Sequence, residues 1–114
     1  MITLFTPKDL GPKDWGTETL VSEIPNLCIG KILKMKAGTK GALQYHQHKN
    51  EAHYLVEGQL MLTWGIGNES FGHQLVSAGE SWHIPPGTIH QEEAVTDCII
   101  FEISNPVFDD RVKV

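Results

Sequence analysis

A single arginine, Arg111, and two cysteines, Cys28 and Cys98, are all that 114 residues hold of those types. With so little arginine, a bidentate clamp for a phosphate or carboxylate is poorly supplied. Each cysteine lies inside an apolar, strand-like run, which points to buried reduced thiols; a disulfide is allowed by the count, but no spacing demands one. There is no basic run, and the net charge of −5 argues against a nucleic-acid or acidic-membrane partner. No apolar stretch approaches the length that crosses a bilayer. The opening segment Met1–Asp9 lacks the apolar core of a signal peptide, so a cytoplasmic protein is expected. No segment shows a 3.6-residue apolar period, which predicts little helix. Internal repeats, linkers and low-complexity segments are also missing, and the length suits one domain with roughly two-thirds of its unfolded surface buried.

What is present is a succession of short strands separated by turn residues, at the spacing of an all-β sandwich or barrel. The pattern predicts strands over residues 27–37, 42–48, 51–57, 59–64, 71–76, 81–84, 88–94 and 98–104. Residues 42–48 and 51–57 read as a hairpin across Lys49-Asn50, since Asn tolerates the backbone such turns need. A Gly/Asn/Ser loop is expected over Gly65–Ser70, and Pro85-Pro86-Gly87 shapes a turn. Along 51–57, strand parity puts Glu51, His53 and Leu55 on one face and Ala52, Tyr54 and Val56 on the other. That outer apolar face needs a cover, either the N-terminal arm or a second subunit, and a homodimer is the natural expectation.

Chemistry concentrates in His46-Gln47-His48-Lys49-Asn50-Glu51 and, some forty residues on, in Gly79–His90. In a strand His46 and His48 point the same way, with Glu51 across a short turn and His90 as a third imidazole. His46, His48, Glu51 and His90 are therefore candidate ligands for one divalent transition metal, with Mn, Zn, Fe, Co or Ni all admissible and positions left open for substrate. His73 reads as structural or surface-exposed.

Four further residues are candidates for chemistry on a bound molecule. His53, two residues beyond Glu51, is either a general base or a group that orients a ligand by hydrogen bonding. Glu102 interrupts the apolar run Cys98–Phe101, either as an inward polar group or as an edge charge that blocks aggregation. Gln44 shares the face of His46 and can contact substrate hydroxyls or simply fill space. Lys49 can meet an anionic group or sit exposed in its turn. Trp15, Trp64 and Trp82 read as core or interface residues rather than a sugar-stacking platform.

The two segments resemble the signature motifs of the cupin superfamily. The first reads Gly41, four residues, His46-x-His48, two residues, Glu51, six residues, Gly58. The second reads Gly79, five residues, Pro85-x-Gly87, two residues, His90. The usual Asn three residues further on is Ala94. The resemblance implies a small single-domain cupin, a double-stranded β-helix or jelly-roll-like barrel. It would have an N-terminal arm over about 1–18, a metal-binding barrel over about 19–104 and a tail over about 105–114.

Beyond these motifs, Lys13–Glu18, Leu43–Glu51, Phe101-Glu102-Ile103 and Asp109-Asp110-Arg111-Val112 are similar to the cupin domain of type II mannose-6-phosphate isomerases. That family's Arg after His-x-His is Lys49 here, its His-Trp after the glutamate is Ala52-His53, and its nucleotidyltransferase domain is absent. The likeness implies aldose–ketose isomerisation of a sugar or sugar phosphate, with His53 or Glu102 carrying the proton. The sole arginine favours a neutral sugar or one held without a phosphate clamp. Two other classes fit the same metal set, a non-enzymatic small-ligand-binding cupin and an iron-dependent dioxygenase.

Overall fold

Alternating inward and outward side chains dominate the chain, and the computed structural model, which describes residues 1–65 and 71–114, turns that alternation into strands and no helix among those residues. Among the described residues no helix is long and apolar enough to cross a membrane. Among the described residues eleven strands follow in order: β1 (Lys8–Lys13), β2 (Gly16–Ile24), β3 (Cys28–Met35), β4 (Gln44–His46), β5 (Glu51–Glu57), β6 (Gln59–Gly65), β7 (Gly72–Ser77), β8 (Ser81–Ile84), β9 (Ile89–Ala94), β10 (Cys98–Ser104) and β11 (Arg111–Lys113). The expected Gly65–Ser70 loop lies, beyond Gly65, outside the described residues.

Two antiparallel sheets face each other, with strand orders β1-β2-β3-β10-β5-β8 and β11-β4-β9-β6-β7. This is the all-β sandwich or barrel that the motifs implied. The interior has two unlike ends. Leu55, Leu60, Val76, Ala94, Cys98 and Ile100 make the apolar end, each at most 4% exposed. Moving along the same inward faces, β5 passes from Leu55 to His53 and Glu51, and β10 from Ile100 to Glu102. Strand periodicity thus carries one face from core into a polar cavity. Ala94 packs in the apolar end. Cys28 and Cys98 are both free thiols.

Gly58 turns β5 directly into β6. Its φ is +101°, and a Cβ there would meet the Asp97 carbonyl oxygen at 2.3 Å, so only glycine fits.

The expected hairpin between residues 42–48 and 51–57 does not form. β4 pairs with β11 and β9 in one sheet, while β5 pairs with β10 and β8 in the other. Residues 47–50 cross between the sheets because the chain's C-terminal segment captures their backbone. The Asp110 carboxylate accepts the amide hydrogens of His48 and Lys49, and Asn105 accepts the Asn50 amide and donates to the His48 carbonyl. Three further strands lie where none was expected. The N-terminal residues form β1 and β2, extending one sheet at its edge, and the tail forms β11. β2 runs through residue 18, where the arm was expected to end. Neither β1 nor β2 covers the outer face of β5, where Tyr54 and Val56 stay 44% exposed.

Candidate metal centre

Three strands supply three donor groups to one point. β4 presents His46, β5 Glu51 and β9 His90, with donor atoms all within 4.8 Å of one another. His46 Nε2 lies 3.5 Å and His90 Nε2 3.7 Å from Glu51 Oε1. Two ligand atoms at ordinary zinc–nitrogen or zinc–oxygen lengths around a tetrahedral ion are roughly 3.4 Å apart, so this spacing fits a cation.

The tautomers fit as well. His46 Nδ1 donates to Asp110 Oδ1 at 2.9 Å, and His90 Nδ1 donates to the Thr88 carbonyl at 2.9 Å. With both Nδ1 atoms protonated, both Nε2 lone pairs face Glu51, and a carboxylate or carbonyl behind each imidazole raises its basicity as a ligand. Three protein donors also leave coordination positions free.

His48 stands apart from this group. The strand ends at His46, the amide capture by Asp110 breaks the alternation, and the His48 side chain turns out to solvent. The next residue turns in instead. Lys49 is only 5% exposed, not an exposed turn lysine, and its Nζ lies 2.6 Å from Glu102 and 3.2 Å from Glu51.

Behind Glu51 lies a buried charge network. His53 Nε2 sits 3.3 Å from Glu51 and 3.2 Å from Glu102 without an aligned hydrogen bond to either, while its Nδ1 bonds Glu92 at 3.1 Å. Burial works against the His53 charge, but the surrounding carboxylates outweigh it and raise its pKa well above the ordinary value. For Glu102, burial is likewise overcome, here by His53 and Lys49, and its carboxyl is held well below the usual range. Glu102 is inward, not an edge charge, because β10 lies between β3 and β5.

Glu51, His53 and Glu102 form a second cluster of possible donors. The Lys49 ammonium bridges its two carboxylates and supplies the positive charge there, so the first cluster is the better place for an ion.

Asp110 and Glu92 escaped the sequence-based set of site residues. Glu92 was legible by parity, being two residues after His90 on β9. Asp110 had no such signal, since its role arises from the return of a distant segment. Its carboxyl is opposed by burial, yet the His48 and Lys49 amides and His46 pull its pKa down to about 2.

The centre opens into a cavity of about 670 Å³ between the sheets, bordered also by Gln44, Trp15, Lys31 and Phe108. Gln44 Oε1 is buried there without a hydrogen-bond partner. Trp15 borders the cavity while packing on the core, Trp82 packs on the core beside His53, and Trp64 is 40% exposed.

The sequence profile of the Cupin domain family matches residues 31–104. The chain belongs to the cupin family. No curated protein matches this cupin at a significant level. Solved structures do. A capsular polysaccharide assembling protein, CapF from Staphylococcus aureus, matches at 22% identity and TM-score 0.86 over 97% of this chain and 33% of its own. KdgF from Halomonas sp. matches at 19% identity and TM-score 0.75 over 90% and 91%. Oxalate decarboxylase from Bacillus subtilis, a protein with Mn(II) centres, matches at 14% identity and TM-score 0.78 over 94% and 30%. The cupin spans about a third of the length of CapF. At these identities the likeness establishes the fold.

Proposed function

We propose that this cupin is a metal-dependent enzyme acting on a carbohydrate, and that its reaction is aldose–ketose isomerisation. The observation that carries the reading is a three-donor group open to a large polar cavity, with a buried set of proton-holding side chains directly behind it. Such a pairing suits proton transfer at carbon, for which side chains that hold and release a proton beside the substrate are what the chemistry needs. The resemblance to sugar-phosphate isomerases and the structural likeness to a capsular polysaccharide assembling protein support a carbohydrate substrate.

His46, Glu51 and His90 would hold the ion, with Mn, Zn, Fe, Co and Ni all compatible with a mixed nitrogen and oxygen set. When bound, such an ion polarises a carbonyl oxygen and acidifies the neighbouring C–H. The remaining work falls to the chain. Glu92 has one cationic partner where Glu102 has two, so we assign removal of the carbon-2 proton to Glu92 and its positioning to His53. Lys49, with a pKa raised because Glu102 and Glu51 outweigh burial, stays charged and offers hydrogen bonds to a developing oxyanion. Gln44 would accept a substrate hydroxyl at its unpartnered Oε1.

Proton exchange tests this reading. Protein loaded with each metal in turn is incubated in heavy water with aldoses, ketoses and their phosphates, and proton NMR follows the carbon-2 signal. Exchange that disappears in His90→Ala and falls sharply in Glu92→Gln is expected. Tight sugar binding without exchange would replace the enzyme by a binding protein, and oxygen uptake would replace it by a dioxygenase.

We also propose that the outer face of β5 and β10, with Tyr54, Val56 and Ile103 each 44–49% exposed, docks a second copy of the chain. A monomer in sedimentation equilibrium at micromolar concentration would remove the dimer.

A further inference from the structure

The interior holds a second cavity, and it differs in kind from the first. Three rows cross the inner face of β9, β6 and β7: Ala94–Leu60–Val76, Glu92–Leu62–Gln74 and His90–Trp64–Gly72. Cross-strand partners project from the same face, so the burial of Leu60, Val76 and Ala94 places the other two rows inward as well. From the facing sheet, β8 sends Trp82 and Ile84 inward beside His53 and Glu51. β7 and β8 end their sheets, and Leu62, Trp64, Gln74, Trp82, Ile84 and His90 border a slot of about 340 Å³ there. That volume is at the low end for a small-ligand site. Among the described residues, His90 alone borders both the slot and the larger cavity.

Two features of the slot point to its ligand, and the first is charge. Lysine, arginine, aspartate and glutamate side chains all border the metal-side cavity, whereas among the described residues no carboxylate, ammonium or guanidinium borders the slot. Its polar groups are Gln74, Thr63, Thr88 and the imidazoles of His83 and His90, and Asn50 Oδ1 already engages His83 Nε2 at 2.6 Å. A charged ligand entering it would lose water without gaining a counter-charge. The second feature is Trp64, which shares the inward face yet stays 40% exposed. The missing side chain at Gly72 lets this indole lie against β7, since a Cβ there would meet Trp64 Cζ2 at 2.6 Å. A flat indole backed by a strand and bordering the slot is a surface for ring stacking.

We propose that this slot binds an uncharged, planar aromatic molecule, a single ring or a fused pair, stacked on Trp64 and reaching His90 from the side away from the charged cavity. The site is separate from the carbohydrate reading and stands whether or not that reading holds. Leu62, Trp82 and Ile84 supply the apolar walls that a ring needs. Gln74, exposed on β7, offers a neutral amide to a polar group on the ligand.

Indole, tryptamine and indole-3-acetate present one ring system in neutral, positive and negative form, and each is titrated into metal-free protein. ¹H–¹⁵N spectra follow the indole N–H signals of Trp64 and Trp82, with Trp15, which borders the charged cavity, as the internal control. Saturable shifts at Trp64 and Trp82 with indole are expected, with affinity roughly tenfold or more weaker for both charged analogues. Trp64→Ala should weaken indole binding roughly tenfold. Gln74→Glu, at an exposed position, should keep the fold and turn the preference between the charged analogues toward tryptamine. That variant decides the matter should Trp64→Ala loosen β6. Shifts centred on Trp15, shifts that never saturate, equal affinity for the three compounds, or a Gln74→Glu protein with unchanged preference would overturn the site.

Discussion

Asp110 shows how one carboxylate can shape a site it does not enter. One oxygen accepts from His46 Nδ1, and the other accepts the two amides that turn His48 outward and Lys49 inward. Asp110→Asn should therefore lower metal affinity about 10–100-fold, as loss of a carboxylate behind a histidine ligand does, in competition with a chromophoric chelator. His48→Ala should leave that affinity within about twofold of the parent in the same assay, since its side chain is exposed and outside the donor group. An effect as large as that of His46→Ala would restore His48 to the ligand set. Glu102 makes a pH-dependent prediction. Its folded pKa is lowered from 4.5, so its contribution to stability is fully present above that value and is lost as pH falls through the lower folded pKa. In metal-free protein, the urea midpoint of Glu102→Gln should lie below that of the parent at neutral pH, and the two should converge in acid.

At the level of elements, short strands hold their places through contacts from far along the chain. β4 has three residues and is pinned between β9 and β11. The β5–β6 connection depends on Gly58, where a side chain meets both a left-handed backbone and the Asp97 carbonyl. Gly58→Ala should cost about 1–3 kcal/mol in urea unfolding, with little change in metal stoichiometry, because the turn lies at the apolar end. The parity of β5 and β10 was readable beforehand: Glu51, His53 and Leu55 are inward, as are Ile100 and Glu102. The partners of β4 were not, because a His-x-His segment followed by a short polar turn looks the same whether the chain doubles back or crosses over.

For the whole molecule, the division into an apolar end and a charged end couples folding to occupancy. Glu51, His53, Lys49 and Glu102 are each at most 5% exposed, and their mutual pairing is what makes that burial tolerable. A cation held by His46, Glu51 and His90 would add to the folded state alone. Zinc at one hundred times its Kd should then raise unfolding stability by about 2.7 kcal/mol, an increment absent from His46→Ala/His90→Ala, as read by denaturant titration with and without metal. An equal increment in the double variant would place the ion elsewhere.

The sequence by itself determined the all-β class, the inward faces of β5 and β10 and the residue types able to hold a metal. These follow from local rules, since pleat geometry alternates side chains whatever the partner strand. Tertiary structure alone decided that residues 47–50 cross between sheets, that Lys49 rather than His48 turns inward, and that Asp110 and Arg111 return to stand beside His46. Those outcomes depend on hydrogen bonds across more than sixty residues of sequence, such as His46 to Asp110, and no local periodicity encodes which distant segment will supply them.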